Sequence, residues 1–330
     1  MVAAALAAVA VVVAVPIVSR TGAPPEEPVS AAASAAPSAS ASAAPLDDAS
    51  TQPPPPVAPA TTPSAAVPAV AAAEAVAAFG RWWLGAAVFD RDTGEIVAGA
   101  RGAEPDYTAS LSKLLVVIDV LEQRRAGTVV LTEADANAIR QALGPSSDGA
   151  MNYLWGRYDG LGAIGRMSAL LGLTTTTRPR DPAQWAEMMS SAVDVARMWR
   201  HVLLGLPDAD REFVMSAAAA SRVRATDGFD QQFGLFDDSI PAAAVGGAGN
   251  DTVGDAAGAG AVAKQGWMCC FRNQFTLHSA GLPYPSSRYV IVLLTRQSMA
   301  GGWDGASDRV GAAALAAVQA TAAVSASPVR

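Results

Sequence analysis

The pattern of apolar and polar positions predicts helices through the middle of the chain. Between residues 110 and 125 apolar side chains recur at helical spacing and also occupy the other faces, so this stretch is predicted to be a buried helix. Thr132 with Asp135 three residues later is typical of a helix start, and Asp148 is predicted to cap the next helix. Further helices are predicted at 71–79, 131–143, 149–157, 160–173, 192–204, 208–220 and 304–324.

Extended segments are predicted on both sides of this helical region. Residues 82–90 and 95–101 flank the turn residues 91–94, which favours a β-hairpin. Three more strands are predicted at 261–270, 271–279 and 288–295, after a Gly- and Ala-rich stretch at 241–260 that predicts a flexible insertion. Strands at both ends with helices between them predict an α+β fold whose sheet joins distant parts of the chain.

The N-terminal part predicts an exported protein. Residues 1–18 are apolar without interruption, close to the minimum that spans a bilayer, although a basic start and a small-residue cleavage site are missing. We predict a signal or anchor segment at 1–20, and therefore a membrane-anchored or secreted protein of the cell envelope. Residues 21–72 are mostly Ala, Pro, Ser and Thr, which predicts a disordered linker. One folded domain is predicted at 73–330.

Composition excludes several classes of function. The 23 basic and 30 acidic residues give a net charge of −7, which argues against nucleic acid as a partner, since phosphate binding needs a positive surface. His201 and His278 lie far apart and away from other soft ligands, so we predict no metal site and no cofactor. Cys269 and Cys270 are adjacent; a vicinal disulfide and two buried thiols are the alternatives, and the buried thiols are favoured.

Lysine usage singles out two positions. Lys113 and Lys264 are the two lysines among the 23 basic residues, and the rest are arginines. Arginine serves equally well as a surface charge, but its pKa stays above about 12, so it cannot give up its proton. The two lysines are therefore candidates for chemistry that needs a titratable amine.

Ser110 and Lys113 are spaced as a nucleophile and its base. Residues at i and i+3 share one face of a helix. A serine at a helix N-terminus lies at the positive end of the helix dipole, which stabilises an alkoxide and the oxyanion formed after attack. A lysine in apolar surroundings has a lowered pKa and can then accept the serine proton. The pair alone is a weak signal, because a capping serine and a solvated lysine have the same spacing.

Two further motifs make the pattern more specific. SSDGAMN at 146–152 precedes a predicted helix, and KQGW at 264–267 lies on a predicted strand. Together with YTASLSKLL around Ser110, they resemble the Ser-x-x-Lys, Ser-Asp-Asn and Lys-Thr-Gly motifs of class A β-lactamases and the wider penicillin-recognising serine hydrolases. The resemblance extends from Trp82 towards the C-terminal helix. It implies an antiparallel sheet flanked by helices, with a helical subdomain.

The resemblance also implies catalytic roles. Ser110 matches the nucleophile that becomes acylated, and Lys113 matches its general base. Ser146 matches the serine that relays a proton to the leaving nitrogen. Lys264 matches the strand lysine that supports this relay and helps to hold the substrate carboxylate. The backbone N–H groups of Ser110 and Trp267 correspond to the oxyanion hole.

The substrate-binding positions depart from the family pattern. Asp148 stands in place of an asparagine that contacts the substrate amide, and a carboxylate cannot donate a hydrogen bond. Gln265 replaces a threonine. Gly266 is retained and is expected to let the substrate backbone approach closely. Trp267 replaces a small residue and is expected to narrow the cleft.

Two assignments remain open in the sequence. Ser147 is an alternative match for the motif serine, although Ser146 is favoured because Asn152 then keeps its family spacing. Class A enzymes hydrolyse the acyl-serine with a loop glutamate, and the acids in the corresponding stretch are Asp181 and Glu187, neither followed by the expected asparagine. A solvated side chain is the favoured interpretation of Glu187.

The predicted function is that of an envelope serine hydrolase that opens a β-lactam or an acyl-D-Ala-D-Ala amide through an acyl-Ser110 intermediate. One alternative is a penicillin-binding protein or D,D-carboxypeptidase that deacylates slowly, and another is a non-catalytic protein that binds cell-wall peptide. The retained lysines favour an enzyme. The expected partners are a β-lactam or a peptidoglycan stem peptide, with membrane contact through the N-terminal segment, and the chain is expected to be a monomer.

Overall fold

The computed structural model describes residues 64–240 and 260–325. The predicted segment at 1–20, the predicted linker up to residue 63 and the predicted insertion, apart from residue 260, lie outside the described residues. In the part of the chain that is described, no helix is both long and apolar enough to cross a membrane.

An antiparallel sheet joins the two ends of the described region. Its strands are β1 (Trp83–Asp90), β2 (Ile96–Ala98), β5 (Val262–Cys269), β6 (Gln274–Leu282) and β7 (Tyr289–Ser298), in the order β2-β1-β7-β6-β5. Two short strands, β3 (Asp106–Tyr107) and β4 (Met189–Ser190), form a second sheet. Because β5 is an edge strand, part of its backbone N–H and C=O groups stays free of sheet partners.

Eight helices cover the two faces of the sheet in the described residues. They are α1 (Ala66–Gly80), α2 (Ser112–Arg125), α3 (Glu133–Leu143), α4 (Asp148–Arg157), α5 (Gly160–Leu171), α6 (Ala192–Leu204), α7 (Asp208–Ala219) and α8 (Gly302–Ser325). Helices α1 and α8 pack against one face, and the consecutive helices from α2 to α7 form the layer on the other face. This is the predicted α+β architecture, an antiparallel sheet flanked by helices with a helical subdomain.

Strand β1 is buried on both faces. Leu84, Ala86 and Val88 pack in the core with α1 and α8, whereas Ala87 and Phe89 pack in the core of the helical subdomain. Successive side chains of a strand point to opposite faces, so a strand covered on both sides is apolar without alternation. The run from Leu84 to Phe89 has this pattern.

Helix α2 lies at the centre of the helical subdomain. Its residues from Ser112 to Leu121 are all buried, as the apolar positions on every face predict. Asp119, a charged residue on this helix, is paired with Arg166 of α5 through two contacts of 2.8 Å. The pairing offsets the cost of burying its carboxylate.

The prediction of a linker over 21–72 is wrong at its C-terminal end, because α1 begins at Ala66, before the predicted helix at 71–79 and before the predicted domain start at residue 73. Alanine has the strongest helix propensity, and its small side chain lets two helices approach closely. Ala66, Ala69 and Ala73 are buried in the core shared with α8. Alanine enrichment therefore belongs to the fold at 66–72 and not to a linker.

Helix α4 is capped differently from the prediction. Ser147 is the N-cap, and its Oγ accepts a hydrogen bond of 3.2 Å from the backbone N–H of Ala150. Asp148, the predicted cap, is the first residue of the helix, where its carboxylate is free to contact another element. The capping interaction between Thr132 and Asp135 of α3 is confirmed.

The favoured interpretation of the cysteines is also wrong. Cys269 and Cys270 are exposed and joined as a vicinal disulfide. Cys269 ends β5, and the chain then turns through Phe271–Asn273, so both side chains leave the sheet and reach the surface.

Candidate active site

Ser110 lies on a tight turn directly before the buried helix α2. The turn, Ala109–Leu111, is a single 3-10 turn, and Ala109 has a left-handed backbone with φ of 46°. Non-glycine residues rarely adopt this conformation, and it recurs at functional sites. The Ser110 side chain lies at the N-terminal end of the helix, with 6% of the residue exposed.

Lys113 is fully buried beneath this serine. Its Nζ donates to Ser110 Oγ at 2.8 Å, as the helical i, i+3 spacing predicts. The same ammonium group donates to the backbone oxygen of Ser146 at 2.7 Å and to Ser146 Oγ at 3.1 Å. Burial lowers the pKa of Lys113, and the neighbouring carboxylate of Asp148 opposes this effect. A lysine with a lowered pKa is suited to accept the serine proton.

Ser146 connects the two lysines. Its Oγ accepts a hydrogen bond of 2.8 Å from Lys264 Nζ in addition to the one from Lys113. The residue is buried and has a φ of 55°, a conformation in the left-handed region just before α4. Ser147 instead caps α4, so Ser146, and not the alternative Ser147, faces the lysines.

Lys264 is fully buried on the edge strand β5. Its Nζ donates to the backbone oxygen of Gln265 at 2.7 Å as well as to Ser146. Burial lowers the pKa of Lys264 well below its ordinary value, and the nearby charge of Lys113 lowers it further. A hydrogen-bonded chain thus runs from Ser110 through Lys113 and Ser146 to Lys264.

Gly266 brings β5 against the turn that carries Ser110. A Cβ atom at Gly266 would lie 3.0 Å from the backbone oxygen of Thr108 and 3.3 Å from the backbone nitrogen of Ser110. A side chain at this position would push the edge strand away from the nucleophile. The glycine therefore permits a close approach of protein backbone, where the sequence suggested a close approach of substrate.

Asp148 joins the site through an ion pair. Its Oδ1 is 2.7 Å from Lys113 Nζ, and its side chain is 60% exposed. The carboxylate therefore lies at the mouth of the site, with one oxygen on the candidate base. Its predicted substrate contact remains geometrically open, because most of the group faces solvent.

The predicted substrate contact of Gln265 is not supported by the geometry. Its side chain is fully buried, and its amide donates to the backbone oxygen of Phe233. Successive residues of β5 point to opposite faces, so Gln265 faces the interior on the side of the strand away from Lys264. Sequence position alone did not reveal this, because the acceptor is 32 residues away in the chain.

Trp267 is half-buried at the rim. Its ring stacks on Phe229 with centroids 4.7 Å apart, and its Nε1 donates to Asp227 at 3.0 Å. Lys264 Nζ lies 5.7 Å from the centroid of the same ring. These contacts hold the large side chain beside the lysine, at the position where the sequence predicts a narrowed cleft.

Trp185, which sequence reasoning missed, covers the remaining side of Lys113. It lies on the loop between α5 and α6 (residues 172–191, the α5–α6 loop), and its ring centroid is 4.9 Å from Lys113 Nζ. Its Nε1 donates to Asn152 Oδ1 of α4 at 2.7 Å. The available signal was the single aromatic residue of this loop, which lies between Asp181 and Glu187 in the sequence.

The two acids of the α5–α6 loop take no part in this hydrogen-bonded chain. Among the described residues, the carboxylate of Glu187 has no hydrogen-bond partner, and that of Asp181 accepts from the backbone N–H of Ala183. Asp181 is exposed. The structure therefore brings no carboxylate of this loop into hydrogen-bond contact with Ser110 or Lys113.

The histidines have structural contacts. His278 is buried on β6; its Nε2 donates to the backbone oxygen of Tyr107, and its Nδ1 accepts from the backbone N–H of Thr295. Burial lowers the pKa of His278, which matches the neutral ring that these two bonds require. His201 on α6 pairs with Glu122 of α2 at 2.7 Å. Among the described residues, no group of three or more His, Cys, Asp or Glu side chains is placed to hold a metal ion.

Comparison with curated proteins finds relatives of this chain. No protein-family model matches the chain. It is 31% identical over 217 residues to proteins named "Putative lipoprotein LppW" in Mycobacterium tuberculosis and Mycobacterium bovis, covering 65% of this chain and 63% of each relative. The chain thus matches less than two thirds of the length of these curated relatives.

The solved structures that are similar include β-lactamases. One from Chitinophaga pinensis has a TM-score of 0.56 at 14% identity, covering 77% of this chain and 99% of that one. One from Sphaerobacter thermophilus has a TM-score of 0.55 at 18% identity, covering 77% and 97%. A class A β-lactamase from Mycobacterium abscessus has a TM-score of 0.53 at 14% identity, covering 76% and 98%. The chain has a β-lactamase-like fold.

Proposed function

We propose that the chain is a serine hydrolase of the cell envelope that forms an acyl-enzyme on Ser110. The observation that carries the proposal is the hydrogen-bonded chain from Ser110 Oγ through Lys113 Nζ and Ser146 Oγ to Lys264 Nζ. A buried nucleophile, a buried amine of lowered pKa and a second hydroxyl within reach are the groups that acyl transfer from an amide requires.

Acylation uses these groups in turn. Neutral Lys113 accepts the proton of Ser110 Oγ while Oγ attacks the carbonyl carbon of the substrate. The carbon–nitrogen bond then breaks, and the leaving nitrogen takes the proton of Ser146 Oγ, which regains a proton from Lys113. Lys264 holds Ser146 in place. The N-terminus of α2 and the adjacent edge of β5 stabilise the oxyanion, with the backbone N–H groups of Ser110 and Trp267 as donors.

The proposed substrate is a β-lactam or a peptide ending in acyl-D-Ala-D-Ala. The β-lactamase-like fold and the correspondence of the three motifs support this class. Two departures from the family motifs restrict the range of substrates. The exposed carboxylate of Asp148 adds negative charge at the mouth of the candidate site, and the Trp267 ring narrows its rim. We therefore expect compact acyl donors to be preferred over those with bulky side chains.

The proposed location is the outside of the cytoplasmic membrane, with the chain anchored or secreted. The apolar stretch at 1–18 supports export, and the curated mycobacterial relatives carry the name lipoprotein. The alanine- and proline-rich stretch would separate the catalytic domain from the membrane surface.

Intact mass spectrometry of the full chain after incubation with benzylpenicillin tests the acyl-enzyme. We expect an adduct of one drug molecule that a Ser110→Ala variant lacks, because the substitution removes the attacking oxygen. Consumption of the drug, followed in the same sample, detects turnover where no adduct builds up. No adduct and no consumption with either benzylpenicillin or an acyl-D-Ala-D-Ala peptide would contradict the proposal.

A further inference from the structure

In the part of the chain that the structure describes, the side chain of Lys113 is fully buried. Its Nζ is bonded to Ser110, Ser146 and Asp148, and the indole of Trp185 covers it at 4.9 Å. An indole face stabilises an ammonium group by a cation–π interaction and at the same time excludes water. The indole ring of Trp185 thus covers one side of the candidate base with an apolar surface.

Trp185 is held in this position from two directions. Its Nε1 donates to Asn152 at 2.7 Å, and 8% of the residue is exposed. The loop around it is anchored to α6, since Thr175 and Thr176 donate to the buried carboxylate of Asp194 at 2.7 and 3.0 Å. On the other side, Trp155 of α4 donates to the backbone oxygen of Pro182 at 3.1 Å. The Trp185 side chain is therefore part of the packed structure.

Hydrolysis of an acyl-serine needs a water molecule and a base beside the ester. The water oxygen attacks the ester carbon, the bond from carbon to Ser110 Oγ breaks, and a base carries the water proton to Oγ. Among the described residues, the carboxylate in hydrogen-bond contact with the catalytic groups is that of Asp148, which is engaged by Lys113. Glu187, close to Trp185 in sequence, makes no such contact.

We propose that Trp185 is a positioning residue that keeps hydrolytic water away from the acyl-Ser110 ester, so that acylation is fast and deacylation slow. The inference rests on the proposed function and assigns it to the slow-deacylating type, in which the acyl-enzyme persists. Asn152 acts with Trp185, because it fixes the indole over Lys113. The apolar indole beside Lys113, with no carboxylate of the same loop in hydrogen-bond contact with Ser110 or Lys113, favours survival of the intermediate.

Separate measurement of the two half-reactions tests the inference. The full chain and its variants are acylated with benzylpenicillin, free drug is removed, and loss of the adduct is followed by intact mass. Trp185→Glu places a carboxylate and room for water beside the ester, and we expect loss of the adduct to be about tenfold faster or more. Asn152→Ala, a change at an exposed side chain, frees the indole and is expected to give a smaller acceleration.

The conservative variant Trp185→Phe keeps an apolar cover and is expected to retain the slow loss. A merely structural role of Trp185 would instead affect acylation and thermal stability in all variants, without accelerating the loss of the adduct. The inference is overturned, while the proposed function stands, if the adduct is lost at the same rate from the wild type, Trp185→Glu and Asn152→Ala. Rapid hydrolysis of the adduct by the wild type has the same consequence. Absence of both adduct and drug consumption in the wild type overturns the proposed function and this inference with it.

Discussion

At the scale of single residues, the ion pair between Asp148 and Lys113 affects how the candidate base titrates. Burial lowers the pKa of Lys113, while the Asp148 carboxylate at 2.7 Å favours the charged form and partly offsets the burial. Resemblance to the family pattern would place a neutral asparagine there. The carboxylate is therefore a feature of this chain that changes the pH at which Lys113 becomes neutral.

Asp148→Asn is expected to shift the acidic limb of the acylation rate to lower pH. Removing the carboxylate leaves the more weakly acting Asp227 to oppose burial, so the pKa of Lys113 falls further and the neutral base persists at lower pH. The second-order rate constant for benzylpenicillin adduct formation, measured against pH, checks this. Asp208→Asn, which alters an exposed carboxylate paired with Arg211 on α7, serves as the control. A limb that stays in place or moves to higher pH would show that Asp148 does not govern Lys113.

The residues of the candidate site differ in how far sequence could predict their positions. Ser110 and Lys113 are three residues apart, and helix geometry alone brings them together. Ser146 and Lys264 are separated by 118 residues, so their contact depends on how β5 packs beside the segment between α3 and α4. Their catalytic roles stay predictions until the acyl-enzyme is measured.

At the scale of elements, the end of the β1–β7 pair is closed by a buried ion pair. Asp90, the last residue of β1, receives two hydrogen bonds of 2.7 Å from Arg288, directly before β7. Burial by itself would raise the pKa of Asp90, but the hydrogen bonds from Arg288, Ser64 and the backbone of Asp92, with the charge of Arg288, together outweigh it, and the pKa falls from 3.8 to about 2. The carboxylate therefore stabilises the folded state in its charged form.

Asp90→Asn is expected to lower the free energy of unfolding by about 2 kcal/mol at pH 7. This is the free energy that corresponds to the fall in the pKa of Asp90 on folding. Because the folded-state pKa is depressed, this stabilisation is complete above about pH 4 and is lost as the pH falls towards 2. The difference between the variant and the wild type should therefore shrink at low pH.

Urea unfolding at pH 7 and at pH 3 measures the difference. Asp92→Asn is the matched control, since Asp92 is 3.1 Å from the same arginine but 66% exposed. Screening by solvent predicts a much smaller effect there. Equal losses for the two variants would contradict the role given to the buried pair.

At the scale of the whole molecule, helices from distant parts of the chain form one layer. Helix α1, early in the described residues, packs against the C-terminal helix α8 through alanines, including Ala69 and Ala73 of α1 and Ala313, Ala314 and Ala317 of α8. The backbone N–H of Ala65 also donates to the Tyr289 hydroxyl of β7 at 2.8 Å. The segment before residue 73 thus belongs to the core.

Ala69→Leu is expected to destabilise the folded protein by about 1–3 kcal/mol, because a larger side chain does not fit a fully packed interface. The midpoint of thermal unfolding checks this. Ala71→Leu, at an exposed position of the same helix, is the matched control and is expected to change little. A similar midpoint for both variants would mean that this part of α1 does not pack as described.

The sequence by itself determined the local features of this protein. Continuous apolar positions marked α2 and β1, capping residues marked the start of α3, and the rarity of lysine marked Lys113 and Lys264, because each of these features depends on neighbouring residues or on the chemistry of one side chain. Tertiary structure decided the rest: the left-handed backbone at Ser146, the inward turn of Gln265, and the placement of Trp185 over Lys113. These depend on contacts between segments far apart in the chain, and the packing of the whole fold selects them over what any local pattern favours.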